Sequence, residues 1–340
     1  MTLSWAPASL DDLDAIHQLV RRWEKHWDVP MVTPRSEVAE WLTDPRLDPN
    51  LDTQVVWSGD RLVAFGIVVH QPSGVRQEKA FVPGRVDPDM RGRGIGRRLL
   101  AWQIERAVEL LRERDPALPW YVRAFEWEWI EESLHLYDRY GMSPVRWFED
   151  LIRPLAEPLA APLPDQVRIV PWSEAPEDGV RVTSNESFAD HWGSTPRDPT
   201  AWKHMVSGVG MRTDLSFVAL SGDRVAGICL NGHFPEDEQL TGRRDGWIMH
   251  LGVLRDWRRQ GIAAALIERS LASFRAAGFT HAMLGVDTDS PTGASGLYRR
   301  LGFQPLHRSV TYELSVNADT SYAATPWPST KKNSARPSPR

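Results

Sequence analysis

Two stretches decide the fold: VDPDMRGRGIGRRLL, from Val86 to Leu100, and VLRDWRRQGIAAALI, from Val253 to Ile267. Each reads as a strand end, a glycine-containing loop and the opening of a helix. The helices that follow are amphipathic. Leu100, Ile104, Ala107 and Leu111 recur at spacings of three and four, as do Ile267, Leu271 and Phe274. Val86 and Val253 hold the same place in the two stretches, so one junction occurs twice.

The flanks repeat as well. Upstream lie TQVVWSGDRLVAFGIVVH and LSFVALSGDRVAGICLNG, each two β-rich runs around a Ser-Gly-Asp turn, with Gly59 and Gly222 at the two tips. Downstream, WYVRAFEWEW (120–129) and HAMLGVDTD (281–289) predict a further strand in each copy. Short helices follow that end in Tyr-x-x-x-Gly, one starting that motif at Tyr137 and the other at Tyr298. Gly141 and Gly302 suit the left-handed position that closes a helix. In that register Glu126 and Glu128 fall opposite Asp287 and Asp289. Near the start, LSWAPASLDDLDAI reads as a short strand with Ser9 as the cap of a first helix.

These signals recur in the same order at a nearly constant offset, which predicts a tandem duplication of one α/β unit with a mixed sheet. The expected domains are residues 1–153 and 167–316. Between them runs a Pro-rich, semi-rigid linker, 154–166, within RPLAEPLAAPLPDQ. Residues 317–340 are polar and rich in Pro and Ser, and are expected to be a disordered tail.

Composition narrows the function. Of 340 residues, 40 are Lys or Arg and 45 are Asp or Glu, a net charge of −5. That balance lacks the basic footprint of a nucleic-acid binder. The single cysteine, Cys229, excludes an internal disulfide and a multi-cysteine zinc site, and its apolar neighbours suggest a buried thiol. No metal motif such as His-Glu-x-x-His occurs among the ten histidines. No apolar run approaches the roughly 20 residues that span a bilayer. Early acids in MTLSWAPASLDDLDAI do not fit a signal peptide, so a cytoplasmic location is expected. Tryptophan (16) outnumbers tyrosine (6), and core filling accounts for most of it.

The glycine loops point to an anion. A helix N-terminus presents unpaired N–H groups and partial positive charge, and glycine lets a phosphate approach them. Arg93, Arg97 and Arg98 add attraction in the first copy; the second keeps Gly261 and replaces the other glycine with Ala263. A P-loop would need Lys-Ser/Thr after its glycines, where Arg97 and Arg98 stand. A dinucleotide loop would need a small residue where Leu99 is.

Arg-x-x-Gly-x-Gly/Ala after a strand, followed by Leu-Tyr-x-x-x-Gly-Phe, resembles the GCN5-related N-acetyltransferase (GNAT) superfamily, in two copies covering nearly the whole chain. The resemblance implies a twisted sheet whose fourth and fifth strands splay. Acetyl-CoA lies in the gap as co-substrate, its pyrophosphate on the loop. By resemblance the cofactor residues are Val253, Arg258, Arg259, Gln260, Gly261, Ile262 and Ala263, with Ser290 where an asparagine is common. Their first-copy counterparts are Val86, Arg91, Gly92, Arg93, Gly94, Ile95 and Gly96. An oxyanion-binding N–H is implied within Leu251-Gly252-Val253 or Gly84-Arg85-Val86, where glycine also fits a β-bulge.

The implied reaction is direct attack of a primary amine on the thioester. The resemblance makes Tyr298, and Tyr137 in the first copy, the general acid. No carboxylate opens the second-copy fourth strand, GWIMHLGV, so His250 is the candidate base; a core or surface histidine is the competing reading. Glu186, Asp190, His191 and Trp192 are candidate acceptor contacts, with helix capping the alternative for Asp190 and His191. Trp129 stands at the Ser290 register of the first copy and is expected to crowd its pocket. The second copy is therefore expected to work on a small-molecule amine, as a monomer or homodimer, with no nucleic acid, membrane or metal involved. The competing reading is a non-catalytic coenzyme A-binding scaffold.

Overall fold

The computed structural model describes residues 2–71, 76–156, 162–289, 293–317 and 320. The expected disordered tail, apart from residues 317 and 320, and the middle of the expected linker lie outside that set. The duplication is visible in the element order. The first half opens with β1 (Leu3–Ala6), α1 (Leu13–Trp27), α2 (Arg35–Thr43) and a single turn, α3 (Pro49–Asp52). The hairpin β2 (Thr53–Ser58) and β3 (Arg61–Ile67) follows, then β4 (Val69–Gln71), β5 (Glu78–Phe81) and β6 (Gly84–Val86). This half continues with α4 (Ile95–Arg112), β7 (Trp120–Trp127), α5 (Glu131–Arg139) and β8 (Ser143–Pro154).

The second half runs β9 (Arg168–Pro171), α6 (Glu177–Ser187), α7 (Pro199–Val206), β10 (Phe217–Ser221) and β11 (Arg224–His233). It goes on through α8 (Pro235–Thr241), β12 (Asp245–Val253), α9 (Ile262–Ala276), β13 (His281–Asp287), α10 (Ala294–Arg300) and β14 (Gln304–Val316). Both hairpins, both glycine-opened helices and both Tyr-x-x-x-Gly closures stand where the sequence puts them. Gly141 and Gly302 have φ of 74° and 84°. Ser9 opens a short turn before α1, its N and Oγ donating to Asp12 Oδ2 at 2.8 and 2.9 Å.

Strand pairing holds what no local signal carries. One sheet is β1-β2-β3-β6; the other has ten strands in the order β4-β5-β7-β14-β8-β13-β12-β11-β10-β9. The last strands of the two halves have changed places. β14 pairs antiparallel with β7, from Ser309↔Trp127 to Val316↔Trp120. β8 pairs antiparallel with β13, from His281↔Pro154 to Asp287↔Phe148. The two exchanged strands also pair with each other.

The cores follow the exchange. Val310, Tyr312, Leu314 and Val316 of β14 are buried with Ile104, Leu111, Val122 and Tyr137 of the first half. Leu151 and Leu155 are buried with Leu266, Phe274, Leu284 and Phe303 of the second. At about 1.5–3 kcal/mol per buried large apolar side chain, this welds the halves together. A cut at residue 153 thus separates two chain segments, while each spatial unit is completed by a strand from the other. Cys229 is fully buried, its Sγ 3.2 Å from Ser270 Oγ, and burial pushes the thiol up to about 12. No helix of the described residues is long and apolar enough to cross a membrane.

Candidate active site

In the second half the sheet opens along one seam. β12 pairs with β13 only from Asp245↔His281 to Ile248↔Leu284, after which the strands part. On its other edge β12 stays paired with β11, but the register shifts between Ile248↔Asn231 and His250↔Leu230. Met249 is therefore the bulged residue, at the point of separation. The expectation of a bulge at Gly252 is corrected: Gly252 pairs regularly with Ile228. Its glycine has a packing cause, because a Cβ there would lie 2.2 Å from Ser187 Oγ and 3.0 Å from Phe188 Cε2.

The glycine loop caps the opening. Gly261 takes the left-handed conformation, φ 85°, immediately before α9, and Gly94 does so before α4 at φ 80°. The first turn of α9 contains no acid, so its N–H groups keep their attraction for an anion. Arg258 is engaged structurally, donating through Nε to Val253 O at 3.1 Å and through Nη2 to Ser187 O at 3.0 Å. Arg259 sits at φ 60°, where the first copy has Gly92 at 72°. The loop and the parted strands enclose a cavity of about 1250 Å³. Val253, Arg258, Arg259, Gly261, Ile262 and Ala263 line it, with Leu284 to Asp287 on the facing wall. Gln260 is turned back, donating from Nε2 to Asp256 O at 3.0 Å. Ser290 lies outside the described residues.

Two candidate reactive groups meet in this cavity. Tyr298 lines it from α10, and burial raises its phenol above the ordinary value. His250 lines it from β12, its ring stacked on Phe188 at 3.9 Å between centroids and 13° between planes. His250 Nε2 is 2.8 Å from Ser184 Oγ. Burial, with lesser repulsion from Arg197 and His191, drives its pKa down to about 3, so the ring is neutral near pH 7.

The expected acceptor cluster is divided. Asp190 and His191 line the cavity rim; Asp190 is ion-paired with Arg255, which lowers its pKa. Neither side chain caps α6. Glu186 is exposed on α6 away from the cavity. Trp192 turns toward the first half, lying 4.1 Å under the Arg123 guanidinium and 6.5 Å from Phe148. Beside it the Gly193 carbonyl accepts from Lys79 Nζ, and burial pulls that amine down to about 8.

Sequence reading missed the contribution of β8. Arg146 donates to buried Asp287 at 2.8 Å, and Asp150 stands opposite Gly285 in the ladder. These partners come from different halves of the chain and no motif joins them.

A model of the acetyltransferase (GNAT) family matches residues 13–142 and 179–303, three quarters of the chain. The chain belongs to the GNAT family. This GNAT protein is 28% identical over 260 residues to a mycothiol acetyltransferase of Thermobispora bispora, covering 73% of this chain and 79% of that one. It is 39% identical over 88 residues to N-acetyltransferase 8B of Rattus norvegicus, 26% of this chain and 38% of that one. Its fold is that of a GNAT from Sphaerobacter thermophilus, with TM-score 0.72 at 24% identity over 94% of this chain and 98% of that one. A tandem GNAT protein of the clavulanic acid pathway superposes with TM-score 0.69 at 20% identity, covering 94% and 100% of the two chains. As a GNAT it is an acyltransferase, of a family that uses acetyl-CoA. Among the described residues no group of three or more His, Cys, Asp or Glu is placed to hold a metal.

The two GNAT copies differ at the seam. In the first, β6 and β7 also lie apart, yet the space carries side chains. Arg85 of β6 lies 3.7 Å over the Trp23 ring and 3.8 Å from buried Glu126 of β7. Trp23, Val29, Trp127 and Ile130 form a buried cluster beside them. Trp127 is buried, and the exposed Trp129 is stacked on it at 5.1 Å. The loop arginine Arg91 is bonded to Glu132 at 3.0 Å.

Proposed function

We propose that the chain is an acetyl-CoA-dependent N-acetyltransferase of the cytoplasm, working as monomer or homodimer, whose second half acetylates a primary amine of a small polar molecule. The observation that carries this reading is the cavity at the open seam of the second copy, beside a first-copy seam that Arg85 and Glu126 bridge. Acetyl-CoA enters with its pyrophosphate on the N–H groups around Gly261, Ile262 and Ala263 and its pantetheine arm between β12 and β13. Beyond Ile248 the β13-facing edge of β12 has no ladder partner among the described residues, so its main chain is available to the thioester carbonyl. The amine attacks directly, and Tyr298 gives a proton to the departing sulfur.

His250 is held neutral and bonded to Ser184, which supports a role in shaping the acceptor wall with Phe188 over one in taking a proton. Asp190 and His191 form the acceptor rim. The first copy, with its glycine loop present and its seam bridged by Arg85 and Glu126, serves as a structural partner. The relatives' name, mycothiol acetyltransferase, puts an amine precursor of mycothiol first on any acceptor panel.

A thiol-release assay over a panel of amines tests the reading, with calorimetry for acetyl-CoA. Gly261→Glu should remove turnover and acetyl-CoA binding, while Gly94→Glu should leave turnover within about twofold. Coenzyme A release with no amine, while binding persists, would favour the scaffold reading. Tyr298→Phe should lower kcat about 10- to 100-fold with acetyl-CoA affinity unchanged.

A further inference from the structure

We propose that the proton acceptor for the second-half site is Asp150, a residue of the first half carried there by the exchanged strand β8. This rests on the acetyltransferase reading of the cavity.

The placement comes from the sheet register. Asp150 is the ladder partner of Gly285, and side chains of directly paired residues share a sheet face. Gly285 lines the cavity just past Leu284, the last residue of β13 paired with β12. A Cβ built on Gly285 would lie 3.6 Å from Asp150 Oδ1, so the carboxylate stands over a residue without a side chain, beside the point where the seam opens. On this face Phe148 and Asp287 are also paired, and Trp192 of the acceptor loop approaches Phe148. Asp150 thus faces the acceptor side, opposite the α9 and α10 side where Leu284 and Val286 are packed.

Asp150 adjoins the cavity through Gly285, and its electrostatic condition is distinct from that of the acids lining the cavity. Asp190 is neutralised by Arg255 and Asp287 by Arg146. Asp150 has no hydrogen bond or ion pair among the described residues, and burial alone raises its pKa to about 6. The other titratable or charged groups on this face of the packed strands are His281 and Asp287 on β13, Asp245 opposite His281 on β12, His307 and Glu313 on β14, Arg123 opposite Glu313 on β7, and Arg146 on its own strand. Such a carboxylate is ionised at neutral pH and still basic enough to accept a proton.

The step balances. The acceptor ammonium passes one proton to the Asp150 carboxylate, and the freed nitrogen lone pair forms the C–N bond at the thioester carbonyl. Collapse of the tetrahedral adduct breaks the C–S bond. The second nitrogen proton offsets the proton taken up by the thiolate, and Asp150 then releases its own to solvent. The exchange makes catalysis at the second-half cavity dependent on both halves.

The test uses the full chain with the amine that the wild type turns over fastest. Asp150→Asn should lower kcat/KM at pH 7.5 by about 100-fold or more, leave acetyl-CoA binding by calorimetry unchanged, and abolish an acid limb near pH 6. Asp150→Glu should keep an acid limb and at least about a tenth of the activity, which a merely structural role would not require. Activity of Asp150→Asn within about threefold of wild type, or an unchanged acid limb, overturns the assignment. If Asp150→Asn does not fold, loss of both activity and limb in a normally melting Asp150→Glu overturns it. Wild-type protein that binds acetyl-CoA and turns over no amine sinks the acetyltransferase reading itself. An active wild type beside an unaffected Asp150→Asn sinks only the base.

Discussion

Arg146 of β8 reaches Asp287 of β13 at 2.8 Å, joining the first half to the wall of the second half's cavity through a carboxylate only 1% exposed. Removing the cation leaves a buried charge unpaired, at a cost of about 3–5 kcal/mol. Arg146→Ala should therefore lower the unfolding free energy by about that amount in urea titration. Asp287→Asn in the same chain should restore part of it. An Arg146→Ala protein as stable as wild type would mean the pair contributes little.

Gly252 is pressed against the end of α6, where Ser187 and Phe188 leave no room for a Cβ. Gly252→Ala should destabilise by about 1–3 kcal/mol through overpacking. It should also push Phe188 off His250 and raise KM for the amine more than that for acetyl-CoA. Unchanged amine KM would show that the Phe188–His250 stack does not shape the acceptor side.

Arg259 occupies a left-handed conformation, φ 60°, that its first-copy counterpart Gly92 adopts without strain. That conformation costs a non-glycine residue about 1–2 kcal/mol, so replacing it with glycine relieves strain, partly offset by the greater freedom of glycine in the unfolded chain. Arg259→Gly should raise Tm slightly. If the loop grips pyrophosphate through its main chain, acetyl-CoA affinity should change by less than about threefold. A tenfold loss would assign the grip to the Arg259 side chain.

Asp150 should reveal itself in stability as well as rate. Its folded pKa, about 6, lies above the ordinary aspartate value of 3.8, so its stabilising contribution is complete below pH 3.8 and is lost as pH rises through 6. At pH 8 the half-buried carboxylate destabilises the fold by about 1–3 kcal/mol. Asp150→Asn should accordingly melt higher than wild type at pH 8, with the difference vanishing near pH 4. A lower Tm at pH 8 would show that the carboxylate has a stabilising partner.

Much of the candidate site's placement in the fold was legible locally. A strand end, a left-handed glycine and a helix N-terminus form one continuous segment, so Gly261, Ile262 and Ala263 could be placed at a helix opening from spacing, while a cofactor role for them came from the family resemblance. The place of Tyr298 near a helix end was likewise legible through the closure at Gly302, and its role as acid came from the same resemblance. Gly252 drew attention as a bulge, whereas its place is set by packing against Ser187 and Phe188. The sequence cannot distinguish a glycine that bulges a strand from one that admits Ser187 from a distant helix.

By itself the chain order determined the duplication, the hairpins, the helix-opening loops and the family likeness, because each is set by contacts among residues within one or two elements. Tertiary structure alone showed that the second seam parts beyond Ile248 while Arg85 and Glu126 approach across the first, since each depends on strands from separate parts of the chain. It also decided that β8 and β14 trade places. Strand pairing is satisfied equally well by backbone from either half, so no periodicity betrays the partner. Only the packed core, where β14 covers α4 and β8 covers α9, selects one arrangement and brings Asp150 to Gly285.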